Sequence, residues 1–458
     1  MGSHANIAIG RRHGVVIPQI DSTMESLGEE LLREILVKLP TRDLARCCCM
    51  SRLWRIVVQE PSFRRHHAMA AHVISGPTET LAVTEIRGMR IRLEAVVLNV
   101  SSEKTMCRIT DLAGGYSPTN ACNGFLCFAA NVEEWPVHVC NPVTGDKMKI
   151  APPPEMKDAR SRMYAMGFSA STHQYKLFRL SFHDSSGHYL DVYTLGGHDG
   201  WRRNPHLLPC AARYNCEFPP PVLIDGKLYV LTEPPEYNQA SDKVIVIDVA
   251  SEAHCIYHLP EEFTGAVIAA MHAFNMSGQL CIAMRLAGDR WLRFWVMPLP
   301  PFGNWELRYT FDMDVEDDGG QDKTGGAWFD AGDRVLCYRL QDHLYMYDTS
   351  NNKHEAGGGG SMKMQWDQKI HMPAVPPHER QRWSVYGGYR PSLVSPRLAF
   401  ASNAPQQTDE QERFEQALMH TLGCKKASRS KKQLSTNVGP ADPNDDERAA
   451  KRIREPTG

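Results

Sequence analysis

Three cysteines in the first half of the chain are of the residue type that could bind a metal ion. Cys122, Cys127 and Cys140 are separated by four and twelve residues, and no CxxC pair occurs in the chain. Structural zinc sites favour tighter pairs than this. Cysteines that alternate along strands are more often core residues. The spacing therefore predicts no metal site, and nothing else in the sequence indicates a cofactor.

An acidic stretch near residue 316 imitates the beginning of a calcium-binding loop. Asp314, Glu316, Asp318 and Gly319 have the right order, but Gly325 stands at the twelfth position. A calcium loop of that kind needs a bidentate Glu there. We interpret this stretch as an acidic surface loop.

Candidate nucleophiles and bases do not combine into a catalytic pattern. Residues 167–171 resemble the nucleophile motif GxSxG, but Ser171 replaces the last glycine. The adjacent His66 and His67 are expected to be exposed on a helix rather than to bind a metal. No phosphate-binding loop that ends in Lys-Ser or Lys-Thr is present. The sequence therefore predicts no catalytic residue.

The composition indicates an intracellular protein of two or three domains. The chain has 458 residues, of which 42% are hydrophobic, and a formal net charge of -2. This charge gives no overall positive potential that would attract nucleic acid. The thirteen cysteines are scattered, as in a reducing compartment. No apolar run is long enough to span a membrane. We expect a cytoplasmic or nuclear location, or both; basic clusters within residues 425–432 and 451–454 are either import signals or parts of a solvated tail.

The positions that could bind a partner lie in a helical stretch between residues 24 and 63. Its first apolar residues recur at steps of three and four, as on one face of a helix: Leu27, Leu31, Leu32, Ile35, Leu36 and Leu39. Ser26 can cap this helix, Pro40 ends it, and Thr41 and Ser51 can cap two more. Three short helices bury too little surface to be stable alone, so this stretch is expected to need a partner.

The same stretch resembles an F-box. The resemblance is carried by Leu27, Glu30-Leu31-Leu32, Glu34-Ile35-Leu36, Leu39-Pro40, Leu44 and Ser51-Arg52-Leu53-Trp54-Arg55. The family usually has Pro where this chain has Gly28, and Val where it has Met50. The resemblance implies docking onto a Skp-type adaptor and, through it, onto a cullin. Matched to the motif, the adaptor-binding positions are Leu27, Leu31, Ile35, Leu36, Leu39, Pro40, Leu44 and Trp54.

From about residue 72 to 400 the pattern changes to short alternating runs broken by turn residues. Runs such as 227–231, 244–247 and 280–284 predict strands, and no helix of ten residues interrupts them. Strand–turn events recur about every 50 residues, close to the kelch period. Such units predict about six four-stranded blades of a β-propeller. A β-sandwich or an irregular sheet with accidental spacing is the alternative.

Several motifs in the β region resemble the plant F-box-associated domain. They are Cys122-Asn123-Gly124-Phe125-Leu126-Cys127, Asn141-Pro142-Val143-Thr144-Gly145, Met166-Gly167-Phe168 with Tyr175-Lys176-Leu177, and Pro391-Ser392-Leu393-Val394-Ser395-Pro396. In that family the β domain is the candidate module for recruiting a target. The resemblance assigns no recognition residue, so the target protein is unidentified.

The sequence thus predicts an α+β multidomain protein: a small three-helix F-box followed by an all-β domain. The predicted segments are a flexible leader 1–23, the F-box 24–70, the β domain 71–400 and a disordered charged tail 401–458. The predicted function is substrate recognition in a Skp-cullin-F-box ubiquitin ligase. The chain itself is expected to catalyse no reaction and to bind neither a membrane nor nucleic acid. The alternatives are a scaffold without a degradation target and an enzyme carried on the propeller.

Two further expectations concern the β domain. Its period of two and the helical period before it suggest that each half buries its own apolar face. Target contacts are expected on rim loops, with Trp201-Arg202-Arg203 and the acidic loop 312–322 as weak candidates. For Trp201 the favoured interpretation is instead a core aromatic at a strand end.

Overall fold

The structure is a computed structural model of the chain. The residues that it describes are 28–70, 79–86, 92–99, 104–108, 116–130, 135–153, 161–183, 187–197, 199–212, 220–234, 236, 239–298, 304–312, 327–330, 335–340, 343–348, 362–363, 368–371 and 383–397. The predicted leader 1–23 and tail 401–458 lie outside these residues, and so does most of the acidic loop.

Four helices open the described part of the chain. They are α1 (Glu29–Val37), α2 (Thr41–Met50), α3 (Arg52–Gln59) and α4 (Pro61–Ala70). Ser51 caps α3 as predicted, because its hydroxyl accepts a hydrogen bond from the backbone N–H of Trp54. Thr41 was expected to cap α2, and this is wrong: Pro40 occupies the N-cap, and Thr41 is the first residue of the helix. Gly28 stands at the N-cap of α1 without a side-chain bond, while Ser26 lies outside the described residues.

Apart from one short 3-10 turn, Glu261–Phe263, and a helical pair at 396–397, the other elements of the described residues are strands. Strands β1 to β7 are Glu79–Ile86, Arg92–Asn99, Lys104–Arg108, Tyr116–Cys122, Phe125–Ala130, Val137–Cys140 and Lys147–Ile150. Strands β8 to β15 are Ser161–Ser169, Gln174–His183, Gly187–Thr194, Trp201–Arg203, Val222–Ile224, Lys227–Leu231, Lys243–Asp248 and His254–His258. Strands β16 to β25 are Ile268–Met276, Gln279–Leu286, Trp291–Val296, Glu306–Asp312, Ala327–Asp330, Val335–Leu340, His343–Asp348, Met362–Lys363, Gln368–His371 and Trp383–Tyr389.

Within the described residues these strands form six sheets, whose neighbouring strands are antiparallel except for one pair in sheet 5. Sheet 1 contains β1, β2, β3 and β25; sheet 2 is β4–β7, sheet 3 is β8–β11 and sheet 4 is β12–β15. Sheet 5 is β16–β19 with the short β23 added in parallel, and sheet 6 is β20, β21, β22 and β24. Four-stranded antiparallel units of this kind are the blades of a propeller. The predicted fold class, a helical unit followed by an all-β domain, is confirmed.

Sheet 1 joins the two ends of the β region. Its order is β25-β1-β2-β3, so the last strand pairs with the first one across about 300 residues of sequence. Edge strands of neighbouring sheets contact one another. These pairs are β25–β4, β4–β8, β12–β16, β16–β20 and β20–β25. Strand β8 contacts β13 of sheet 4. The sheets therefore follow one another in a circuit that returns to its start, and β25 is the strand that completes it.

The helices and the β region share one apolar core. The buried cluster that holds Leu36, Leu44 and Val57 of the helices also holds Phe128 of β5 and Leu393 of the C-terminal segment. The expectation of a separately buried apolar face is therefore wrong for the helices, whereas the β region does hold buried clusters of its own residues. Period alone indicates which face is apolar, but it does not indicate what covers that face.

Candidate functional site

The helices carry apolar side chains on two sides. One set is buried in the shared core: Leu32, Leu36, Val37, Leu44, Ala45, Cys48, Val57, Val58 and Phe63. The other set is exposed to solvent: Leu31, Ile35, Met50, Leu53 and Ile56. The exposed fractions reach 76% at Met50 and 51% at Ile56. Five large apolar side chains exposed on three helices that contribute to one core are candidates for an interaction surface. We call these five residues the docking face.

The structure separates the predicted adaptor-binding residues into three groups. Leu31, Ile35 and Pro40 are exposed; Leu39 and Trp54 are partly buried against the core; Leu36 and Leu44 are fully buried in it. Leu27 lies outside the described residues. The buried pair can act only by holding the helices together, whereas the exposed residues can touch a partner directly.

Sequence reasoning missed three members of the docking face. Leu53 was part of the F-box motif, Met50 was a departure from it and Ile56 was outside it. None of the three was named as a contact residue. The signal was available only in part. Leu53 and Ile56 are three residues apart on α3 and can share a face, but the buried Val57 follows Leu53 by four residues, so spacing alone does not separate the buried from the exposed residues. Deciding between the two sides needed the shared core.

The turn between α1 and α2 is held from two directions. Nε2 of His67 on α4 donates a hydrogen bond to the Leu39 carbonyl oxygen over 2.8 Å. The Thr41 hydroxyl donates to the Pro391 carbonyl oxygen, also over 2.8 Å, across 350 residues of sequence. His67 was expected to be exposed, and this is wrong: it is 1% exposed. Burial lowers the pKa of its imidazole, with the Leu39 hydrogen bond acting in the opposite direction.

Ion pairs and backbone contacts fix the remaining helix positions. Arg33 of α1 bonds Glu29 one turn earlier and Glu60 at the end of α3, and these carboxylates raise the pKa of its guanidinium. Nε of Arg55 donates to the Cys48 carbonyl oxygen over 2.9 Å, and so links α3 to α2. The docking face therefore sits on helices that are connected to one another by specific contacts.

The C-terminal segment Tyr389–Arg397 lies between the helices and sheet 2; we call it the strap. Asn141, which follows β6 and is fully buried, donates from its side-chain amide to the Ser392 and Val394 carbonyl oxygens over 2.8 and 2.6 Å. Its Oδ1 accepts from the backbone N–H groups of Val143 and Thr144. One side chain thus orders its own turn and binds the strap.

The turn between β4 and β5 leaves room for the strap. Gly124 has a φ of +83°, and a Cβ built there would lie 2.4 Å from the Ser392 Cβ. The Tyr389 hydroxyl donates to the Gly124 carbonyl oxygen over 3.1 Å. Gly124 therefore meets two requirements, a left-handed backbone and a close approach, that only glycine satisfies together.

Comparisons with known proteins follow this division of the chain. The family described as F-box domain matches residues 24–66, and the family described as F-box associated beta propeller domain matches residues 81–298. This chain belongs to the plant F-box proteins that carry an F-box-associated domain. The motifs that indicated this resemblance lie largely in the two turns and the strap, where they meet in space.

Relatives of this F-box protein come from Arabidopsis thaliana. A putative F-box protein is 26% identical over 38% of this chain and 48% of its own length. An F-box/kelch-repeat protein is 24% identical over 62% of this chain and 64% of its own length. The chain thus spans between about half and two thirds of these relatives. Among solved structures, the β-propeller domain of Cps50 (Swd1) from Myceliophteria thermophila is 12% identical, with a TM-score of 0.33, over 66% of this chain and 88% of that one.

The residues weighed for other chemistry are engaged in the fold of this F-box protein. Cys122, Cys127 and Cys140 are buried, and burial raises the pKa of the Cys127 and Cys140 thiols to about 12. Ser169 bonds the Ser171 hydroxyl and the Thr172 N–H in the β8–β9 turn. Within the described ranges, no three His, Cys, Asp or Glu side chains converge as metal ligands do, and no helix is long and apolar enough to cross a membrane.

The Trp201-Arg202-Arg203 run also makes contacts inside the chain. The Trp201 indole N–H donates to the Ala151 carbonyl oxygen over 2.7 Å, which links sheet 3 to the end of sheet 2. Arg202 pairs with the buried Glu252, and Arg203 with the buried Asp191. Trp305 repeats the Trp201 arrangement with the His258 carbonyl oxygen. Trp201 is therefore a strand-end aromatic that connects sheets.

Proposed function

We propose that this F-box protein is a substrate-recognition subunit of a Skp-cullin-F-box ubiquitin ligase. Its F-box binds a Skp-type adaptor and, through it, a cullin, and its β domain binds a target protein that is still to be identified. The protein itself makes or breaks no bond. It raises the effective concentration of the target beside a ubiquitin-charged enzyme, and proximity of this kind alone accelerates transfer by orders of magnitude. Such a complex works in the cytoplasm, the nucleus or both.

The docking face is the observation that carries this proposal. Five large apolar side chains lie exposed on helices whose other side is already buried, so the exposure does not result from an incomplete fold. Burying a fully exposed Leu or Ile side chain contributes about 1.5–3 kcal/mol. Leu31 and Ile35 project from α1, and Leu53 and Ile56 from α3. An adaptor that presents apolar side chains of its own can cover such residues.

Binding of a purified Skp-type adaptor to the full chain tests the F-box assignment. We expect Leu31→Glu and Ile56→Glu each to weaken binding by about tenfold or more, which is roughly 1.4 kcal/mol. Both positions are exposed, so the free protein should keep its circular dichroism spectrum and unfolding midpoint. Leu207→Glu is the matched control, since Leu207 is exposed to a similar degree (53%) but lies in the β domain. Undiminished binding of both F-box variants would exclude the docking face.

The turn and the partly buried tryptophan provide a second test. Pro40→Ala/Trp54→Ala should also weaken adaptor binding, partly through loss of helix packing, because Trp54 packs against the shared core. Affinity purification with Ile56→Glu as bait then identifies the target: it should remain bound while adaptor and cullin are lost. A bait that loses its target together with the adaptor would show that the β domain does not recruit the target by itself.

A further inference from the structure

The strap contacts both halves of the protein with neighbouring side chains. Leu393 is fully buried in the cluster that holds the F-box helices, whereas the next residue, Val394, is buried in the cluster between sheets 2 and 3. The Pro391 carbonyl oxygen accepts from Thr41 on the F-box, and the Ser392 and Val394 carbonyl oxygens accept from Asn141 on sheet 2. The strap therefore contacts the F-box and the β domain through different side chains and different carbonyl groups.

The strap is also covalently continuous with the strand that completes the circuit of sheets. Strand β25 pairs with β1 up to Glu79↔Tyr389, and the strap begins at that same tyrosine. The segment 383–397 thus completes sheet 1 with β25, binds Asn141 through two carbonyl groups and places Leu393 in the F-box core. At the far end, Nε of Arg397 donates to the Lys147 carbonyl oxygen over 3.1 Å.

From these contacts we infer that the strap couples completion of the β domain to the position of the F-box. Leu393 and Thr41 are positioning residues: they hold the F-box, with its docking face, at one orientation to the β domain. The F-box core remains incomplete until β25 has paired and the strap has docked. The part that concerns adaptor presentation rests on the proposed function; the coupling itself does not.

Hydrogen exchange of the full chain, measured by mass spectrometry, tests the coupling without any partner. Leu393→Ala should speed exchange in α1 to α4 by about tenfold or more, because removal of buried leucine atoms lowers local stability. Val394→Ala, one residue further along the strap, should speed exchange in sheet 2 and change the helices much less. Thr41→Val keeps the shape of the side chain, removes only the bond to Pro391, and should speed exchange in α1 and α2 by a smaller factor.

Two outcomes would overturn the coupling. One is unchanged exchange of the helices in both Leu393→Ala and Thr41→Val; the other is Val394→Ala loosening the helices as much as Leu393→Ala does. If Leu393→Ala fails to fold, Thr41→Val still gives the answer.

Adaptor binding separates this inference from the proposed function. We expect Leu393→Ala to bind the adaptor more weakly than wild type, and saturating adaptor to restore slow exchange within the helices. A wild-type chain that binds no adaptor would contradict the proposed function and leave the exchange result standing. Adaptor binding with no change in exchange between variants would contradict the coupling alone.

Discussion

At the scale of single residues, polar side chains buried at the junction bind specific backbone groups. Asn141 satisfies two strap carbonyl groups and two N–H groups of its own turn, and His67 satisfies the Leu39 carbonyl group. Buried polar groups are costly when unpaired, so each such side chain permits only one arrangement of its partners. Specificity of the junction is therefore concentrated in a few hydrogen bonds.

His67 predicts a pH dependence of F-box stability. Burial lowers its pKa in the folded chain, so below about pH 6.5 the unfolded chain binds a proton that the folded chain does not. The free energy of unfolding should therefore fall as the pH drops from about 6.5 towards the lowered value. His138, whose pKa burial lowers to about 4, acts in the same direction down to that pH.

Urea titrations between pH 5 and 8, followed by circular dichroism, measure this dependence. His67→Gln removes one titrating group and should flatten the curve. Equal curves for wild type and His67→Gln would mean that His67 does not contribute.

Asn141 predicts a large effect from an isosteric change. Asn141→Asp replaces two N–H donors by a carboxylate oxygen directed at two carbonyl groups, and should cost about 3 kcal/mol or more of folding stability. Asn275→Asp is the control: Asn275 is exposed and accepts from the Gly278 N–H, which a carboxylate also does, so its effect should stay within about 0.5 kcal/mol. The urea midpoints of the two variants decide the comparison.

At the scale of elements, the two turns of sheet 2 and the strap behave as one unit. The β4–β5 turn provides Gly124, which leaves space for Ser392 of the strap. The turn after β6 provides Asn141, and the strap provides the carbonyl groups that accept its hydrogen bonds. Each piece is short and irregular, and each would be mobile by itself because ordering a residue costs about 1–2 kcal/mol. Their mutual hydrogen bonds and the apolar contacts on either side offset that cost.

A pair of glycine substitutions isolates the close approach of turn and strap. Gly124 and Gly278 have nearly equal φ values of +83° and +84°, but a Cβ at Gly278 would have no atom within 4 Å. Gly124→Ala should therefore be less stable than Gly278→Ala by about 1–3 kcal/mol, the usual cost of overpacking. Thermal unfolding of both variants measures the difference. Equal losses would show that backbone strain, rather than contact with Ser392, is the whole effect.

At the scale of the whole molecule, one segment, β25 with the strap, makes two contacts with parts of the chain that are about 300 residues earlier or more. Strand β25 completes sheet 1, and the strap that follows completes the F-box core. Contacts this distant in sequence form only after the intervening chain is ordered, because the entropy of closing the loop must be offset first. The F-box and the β domain are therefore expected to unfold together in the free protein.

Truncations test this expectation. A chain of residues 21–404 should unfold at the same urea concentration as the full chain, because the residues removed, 1–20 and 405–458, have a composition that is not expected to contribute to a packed core. A chain of residues 24–382 lacks β25 and the strap, and should lose cooperative unfolding in both halves. An F-box that keeps its helical signal and its unfolding midpoint in the shorter chain would contradict this view.

The amino-acid sequence by itself determined the nature of the parts. Steps of three and four residues gave the helices of the F-box, alternation and turn residues gave the sheets, and the family motifs at 122–127, 141–145 and 391–396 indicated the domain. These features are local, because periodicity and turn chemistry act over a few residues.

Only the tertiary structure decided which apolar side chains of the helices remain exposed, since Leu31 and Leu32 are neighbours of identical type, one exposed and the other buried. It likewise decided that Leu393 completes the F-box and that Asn141 binds the strap. Burial and hydrogen bonding depend on residues hundreds of positions away, and the local pattern around a residue carries no record of what will cover it.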